Sequence, residues 1–366
     1  VLHAIRLDFE PTVSPLGLTV RLEILALAGV ILLCLVTAGL LAGRARAVAE
    51  RLRHGEEAPP EAQLRRDDLI LIAFGAVPGA VVGGRAGYGL IHLDYYLSDP
   101  GALLDPGKGS LSLTAALVLG TLTAVAVARL LGAPIRAWLQ LAAAPLLLGL
   151  GLGKLTMALG GSGQGVYSDA SWATAYVGPG TWGSINPTDP AVPSQLIEGG
   201  LVLAALAALV LVPLLVRMRG RLRPRPGLSL APAGEWVWLT GYRRYLLALA
   251  LWAVVRFGVA FSWRDARLVG PLNVDQLGLI ALFVVCAWVL AGPWMTQRMS
   301  SLAHARAETM TWQPETPEPA AEPIPAAQPI PAAEAAPAPE AAPAPEAVPV
   351  PAPEAVPAPV QLELPP

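Results

Sequence analysis

Cysteine is nearly absent from this chain: the two present, Cys34 and Cys286, stand far apart in apolar runs. That excludes a disulfide framework and a clustered thiol metal site. Charge is scarce as well, at 14% of residues against 54% apolar, which is too little polar surface for an ordinary soluble domain. Lysine and arginine stop after the seventh apolar run, and none occurs beyond Trp312. There the chain becomes a Pro-Ala-Glu tract with near-repeats such as APAPEAAPAPEAVPVPAPEAVPAP. Such a tract cannot bury enough apolar surface to fold. Its glutamates account for the small negative net charge of −2; the rest of the chain is mildly basic, as suits a protein lying against anionic lipid. Matching halves with broken helices, which mark many transporters, are not found. No small-residue cleavage pattern follows the first apolar run, so an anchor is expected there rather than a removed signal. Neither a metal, a cofactor nor a nucleic-acid partner is expected.

What is present is a series of long apolar runs. Seven qualify as spans: Leu22–Leu41, Leu69–Leu90, Leu111–Leu131, Trp138–Leu159, Gln195–Val216, Tyr245–Phe261 and Val274–Trp294. A helix over Leu69–Leu90 is about 33 Å long, enough to cross a bilayer. The expected fold is an all-α polytopic membrane protein with about seven transmembrane helices over residues 1–300. Residues 301–366 are expected to form a disordered Pro/Ala/Glu-rich tail. Arginines crowd alternate loops: Arg44 to Arg66, Arg129 and Arg136, Arg217 to Arg244, then Arg298 and Arg306. By the positive-inside rule this places the N-terminus outside and the C-terminus in the cytoplasm.

Within the spans three cations stand out. Arg85 sits among glycines in VVGGRAGYGLIHLDYY (Val81–Tyr96), where Gly84 and its neighbours remove side-chain bulk and let a backbone or ligand approach. Lys154 lies in the glycine-rich end of the fourth span, and Arg256 in LALWAVVRFGVAF of the sixth. A cation in a spanning helix costs roughly 2.5–3.5 kcal/mol on insertion scales, so it faces a partner or a polar cavity. All three belong to the outer part of their helices, and Glu198 opens the fifth span opposite them. One reading is an anion-binding cavity suited to a phospholipid phosphate, since arginine donates to phosphate in pairs. The other is a structural one: snorkelling cations, and a buried ion pair between Arg256 and an acid. A long outer loop, residues 160–194, has no lysine or arginine and contains Trp172 and Trp182. A loop of that length is expected to be mobile and to gate the cavity. Ser194 at its end is placed to cap the fifth span.

The motifs Gly83-Gly84-Arg85-Ala86-Gly87-Tyr88, Pro193-Ser194-Gln195-Leu196-Ile197-Glu198 and Leu239-Thr240-Gly241-Tyr242, followed by Arg256 and Asn273–Ile280, occur in this order. Together they resemble the prolipoprotein diacylglyceryl transferase family, in its GGR-x-G-Y, H-P-S-Q-L-Y-E and G-Y…R…S-M-G-Q-I-L-S segments. The resemblance implies a bacterial cytoplasmic (inner) membrane protein that works without a cofactor. Its substrates would be phosphatidylglycerol and a prolipoprotein signal peptide, in contact with membrane lipids. A diacylglyceryl group would pass to the lipobox cysteine thiol. It implies catalytic roles for Arg256 and Glu198, and substrate binding by Arg85, Lys154, Gly84, Tyr88, Ser194 and Gln195.

The chain departs from the family pattern where proton transfer is concerned. The family histidine falls at Thr114, and the glutamate after the sixth-span arginine at Ala260. In the G-R-x-G-N-F-x-N-G-E signature, Lys154, Met157, Gly160 and Ser162 replace arginine, both asparagines and glutamate. The family tyrosine falls at Leu22 and a further histidine at Val192. A threonine is no general base near neutral pH, which leaves His92 as the expected base or no such chemistry at all. Two functions therefore stay open: the transfer itself, or a non-catalytic membrane protein of the same fold that binds a phospholipid or a partner.

Overall fold

The computed structural model describes residues 4–14, 17–51, 60–105, 110–178, 188–222 and 241–311. Lys108, Trp182, Leu239, Thr240 and the tract from residue 312 lie outside them. The chain divides into two units, Val1–Arg306 and Ala307–Pro366, and the second is described only as far as Thr311. Each expected span is a helix. The order is α1 (Leu22–Arg51), α2 (Arg66–Ile91), the short α3 (Leu93–Ser98), α4 (Leu113–Leu130), α5 (Ile135–Met157), α6 (Ser194–Leu222), α7 (Tyr242–Val259) and α8 (Val274–Thr311). All but α3 are long and apolar enough to cross a membrane. The last helix continues through residues 301–311, which the composition had placed in the tail.

Large apolar side chains such as Ile31, Leu32, Phe74 and Trp288 point outward and are exposed, while small residues line the helix contacts. This is the inverse of a soluble core and suits a lipid surround. Along α2, Gly75, Gly79, Gly83 and Gly87 recur every fourth residue and so share one face. That face lies on α4 against Val127, Thr123, Leu119 and Ala115. A methyl group at Gly83 would sit 2.7 Å from the Ala115 carbonyl oxygen, so only glycine permits this approach. A second close crossing joins α5 to α6: a methyl on Gly199 would lie 2.9 Å from the Gly151 carbonyl oxygen. Lys154 and Glu198 flank that crossing. Against both helices packs α7, whose Trp252 is wholly buried among Ala143, Leu147, Val202 and Leu279.

One end of the bundle is capped by short extended pieces. Here β1 (Ile5–Leu7) pairs in parallel with β4 (Thr174–Tyr176), and β2 (Thr12–Val13) pairs antiparallel with β3 (Val20–Arg21). A hairpin of β5 (Arg267–Val269) and β6 (Leu272–Asn273) links α7 to α8. The loop expected to be mobile is, in its described part, tied down. Thr174 and Ala191 exchange backbone hydrogen bonds, Val192 donates to Val166, and Val166 donates to Ser262. Ala173, Ala175, Tyr176, Ala191 and Val192 are buried there, and buried backbone groups must pair. The glycine-rich end of the fourth span carries this chain reversal: α5 tightens into a 3-10 turn at Ala158–Gly160, and Gly161 takes a positive φ of 67°.

Candidate functional site

Four charged side chains from four helices meet beneath the cap. The α5–α6 crossing sets Lys154 Nζ 3.3 Å from Glu198 Oε2. Arg256, near the end of α7, reaches the same carboxylate, its Nη1 lying 2.8 Å from Oε2 and 3.1 Å from Oε1. Its Nε donates to Asp275 Oδ2 at 3.0 Å, in the first turn of α8. The other Asp275 oxygen accepts from Thr114 Oγ1 at 2.6 Å, at the start of α4. Glu198 is fully buried, and the Lys154 and Arg256 side chains are 11% exposed. Two cations balance two carboxylates, which is how a cluster this buried avoids the cost of an unpaired ion. Trp263, just past α7, lies against both cations: Lys154 Nζ is 4.5 Å and Arg256 Cζ 5.4 Å from its ring centre.

The sequence left two readings of Arg256 open, a cation awaiting an anionic ligand and one held by fixed acidic partners. The structure provides two fixed partners, Glu198 and Asp275. Asp275 was not singled out, because an acid in the first turn of a helix is ordinary. A readable signal did surround it. Asn273 and Gln276 cap α8 reciprocally, the Asn273 side chain accepting from the Gln276 N–H at 2.8 Å and the Gln276 side chain from the Asn273 N–H at 2.9 Å. That box fixes the first turn and the direction in which Asp275 leaves it.

Arg85 takes a different place. It donates to the carbonyl oxygens of Leu103 (2.8 Å), Ala102 (2.7 Å), Ser110 (3.3 Å) and Asp105, and its guanidinium lies 5.9 Å from the Tyr96 ring centre. It thereby draws the segment after α3 onto α2. Beside it is a groove of about 580 Å³ lined by Val81, Val82, Ala86, Leu103, Leu104 and Leu111. Gly84 accepts from the Ser112 N–H at 2.8 Å through its carbonyl. Tyr88 stacks on His92 with ring centres 4.3 Å apart, and His92 is exposed at the end of α2. The structure thus unites Lys154, Glu198 and Arg256, and places Arg85, Gly84, Tyr88 and His92 together at the end of α2.

The remaining pair lies in the cap. Ser194 does not cap its helix as expected; its hydroxyl meets Ser262 Oγ at 2.7 Å and ties α6 to the end of α7. Gln195 is fully buried and donates to the Tyr176 hydroxyl at 3.3 Å. Burial pushes the Tyr176 phenol above its ordinary range, and the Gln195 hydrogen bond opposes that. Ser162, where the family resemblance has a glutamate, donates to Glu23 Oε1 of α1 at 2.9 Å. An acid thus reaches that spot from another helix, as Asp275 reaches Arg256 where Ala260 offers nothing. Among the described residues, no group of three or more histidine, cysteine or acidic side chains is placed to hold a metal ion.

A seven-span helical bundle with a capped end and a buried, charge-balanced cluster beneath that cap defines an integral membrane protein with a polar centre. A family model described as prolipoprotein diacylglyceryl transferase matches residues 23–292, and the chain belongs to that family. It is similar to proteins named phosphatidylglycerol–prolipoprotein diacylglyceryl transferase. One from Geobacter sulfurreducens is 32% identical over 229 residues, covering 61% of this chain and 76% of the relative. Another, from Nitrobacter hamburgensis, is 31% identical over 290 residues, covering 78% and 90%. A third, from Beijerinckia indica, is 35% identical over 199 residues, covering 52% and 66%.

Proposed function

We propose that this protein transfers a diacylglyceryl group from phosphatidylglycerol to the lipobox cysteine thiol of a prolipoprotein. The observation that carries the reading is the convergence of Lys154 and Arg256 on Glu198 under Trp263, inside the region that matches the family. In the reaction a sulfur–carbon bond forms as the glyceryl carbon–oxygen bond breaks. The departing glycerol phosphate keeps the electron pair, and the thiol proton leaves to a base. Lys154 retains two N–H donors after serving Glu198, and Arg256 retains Nη2. Those donors would hold the phosphate and stabilise its charge as it leaves, the main catalytic terms for a displacement of this kind. Arg85, Gly84 and Tyr88 would frame the lipid's approach at the end of α2, with Ser194 and Gln195 shaping the cap above. His92 would serve as base.

The setting proposed with it is the bacterial cytoplasmic membrane, with the N-terminus outside and the acidic tract from residue 312 as a separate cytoplasmic piece. Incubation with phosphatidylglycerol labelled in its acyl chains and a lipobox peptide should yield labelled peptide. A strain depleted of its own diacylglyceryl transferase should recover when it makes this protein, with or without the residues after Trp312. A C-terminal tag reached by reagents added outside the cell would refute the orientation.

One observation favours a second reading. The charges of the cluster are already balanced, and Thr114 is bonded to Asp275, so nothing within the cluster is suited to take a thiol proton. A non-catalytic member that binds a phospholipid or a membrane partner would look the same. Phosphatidylglycerol that co-purifies with the protein, while no label reaches the peptide, establishes this reading and overturns the first.

A further inference from the structure

The guanidinium of Arg256 is held along two of its edges. Glu198 takes Nη1 with both oxygens, and Asp275 takes Nε. A planar fork gripped at Nε and Nη1 cannot rotate about its own axis, so the direction of the remaining Nη2 donors is set. Among the described residues Nη2 has no hydrogen-bond partner, and neither Arg256 nor Lys154 is wholly buried. Of the two acids, Glu198 alone would leave the fork able to swing about the Nη1 contact. Asp275 closes that freedom, and it is itself fixed by the Thr114 hydroxyl at 2.6 Å and by the Asn273–Gln276 box at the head of α8.

We propose that Asp275 is a positioning residue of this site, fixing the rotation of Arg256 so that Nη2 meets a phosphate oxygen. The inference rests on the transferase reading. It gives Thr114 a role that needs no basicity: its hydroxyl orients the carboxylate that orients the arginine.

Electrostatics and positioning make opposite predictions for Asp275→Asn, which is what makes the inference testable. Removing the carboxylate leaves the cluster with a net positive charge, so attraction of an anionic lipid should strengthen and KM for phosphatidylglycerol should not rise. A guanidinium released from its second clamp is misdirected at the moment of transfer. Displacements of about 1 Å cost up to about 100-fold in rate, so kcat is expected to fall by about 10- to 100-fold. Asp275→Glu, which restores the charge one carbon further out, should recover part of kcat. Thr114→Val should lower kcat in the same sense but less. Combining it with Asp275→Asn should cost no more than Asp275→Asn alone, because both act through one clamp.

Full-length protein in phosphatidylglycerol-containing nanodiscs, assayed with a lipobox peptide, supplies both constants. An unchanged kcat in Asp275→Asn, or a raised KM with kcat intact, overturns the inference while leaving the transferase reading standing. If Asp275→Asn does not fold, Thr114→Val decides alone, and an unchanged kcat there overturns the inference too. A wild-type protein that transfers nothing removes the transferase reading first, and this inference with it.

Discussion

Arg85 and Arg256 look alike in the sequence: each is a lone guanidinium in an apolar run, and each falls within a stretch resembling the same family. In the structure they are compensated in unlike ways. Arg256 is met by full negative charges, Glu198 and Asp275, contributed by two other spanning helices. Arg85 is met by backbone carbonyl oxygens of residues 102–110 and by the Tyr96 ring. A cation in a membrane helix has to be satisfied, and the sequence shows that necessity at both positions. What satisfies it depends on which elements fold beside it. Carboxylates bind helix to helix and make a cluster whose members cannot be removed singly. Carbonyls bind a loop to a helix, and their loss is local.

The sharpest way to break the comparison is to neutralise the two arginines in turn. Arg256→Gln leaves Glu198 with Lys154 alone and Asp275 with no cation, inside a site where Glu198 is wholly buried. Breaking a buried pair by removing one partner costs about 3–5 kcal/mol. Glu198→Gln, which leaves Lys154 and Arg256 facing each other across a neutral group, should cost a similar amount. Both variants are expected to lose most of their folded yield in detergent, and thermal unfolding of what remains should begin well below wild type. A wild-type melting profile for either would mean that water or lipid already screens the cluster.

Arg85→Gln should cost less. It removes donors from up to four carbonyl oxygens, but these sit near the end of α2, and a glutamine amide recovers part of the bonding. A net loss of about 1–3 kcal/mol is expected, concentrated in residues 99–105 and 110–111 rather than spread through the bundle. Hydrogen exchange should show those amides opening faster while α5 to α8 keep their protection. Equal loosening of both regions would show that Arg85 and Arg256 belong to one cooperative unit after all.

How much of this was legible beforehand follows from the same physics. The seven spans could be read because lipid demands long apolar runs, and the acids of the site, Glu198 and Asp275, interrupt only the beginnings of theirs. Glu198 could be placed opposite Arg256 because the alternation of the spans puts the start of the fifth and the end of the sixth on one side of the bundle. The four-residue rhythm of Gly75, Gly79, Gly83 and Gly87 marks a close contact, but nothing in it says that α4 is the partner. Asp275 was hidden because a first-turn acid has an adequate local reason to be there. Arg85 was misleading for the opposite reason: carbonyl oxygens are among its partners, and since every residue carries one, no side-chain pattern reveals them. The loop at residues 160–194 read as mobile from its glycines and prolines, yet its described part is held by the parallel pairing of β4 with β1, a contact between distant segments that composition cannot report.

The smallest expected effect on stability comes from Lys154, the cation that both regions' logic leaves least committed. Its single bond to Glu198 is longer, at 3.3 Å, than the Arg256 contact at 2.8 Å. Without Lys154 the carboxylate still accepts twice from Arg256 Nη1. Lys154→Met keeps most of the stem and removes the ammonium, with its contacts to Glu198 and to the Trp263 ring. A buried carboxylate that keeps its best partner loses one charge-assisted hydrogen bond, about 1.5–3 kcal/mol before relaxation, offset by the lysine's own desolvation, which methionine does not pay. The net change should be about 1 kcal/mol or less, well below that of Arg256→Gln. Transfer should respond in the reverse order to stability, because Lys154 supplies two of the donors proposed for the departing phosphate. The variant is expected to purify and melt like wild type while losing about tenfold or more in kcat, in line with the removal of one donor to a developing anion. If Lys154→Met instead unfolds as Arg256→Gln does, the two cations are equally structural, and the ammonium has no reserve of donors for a substrate.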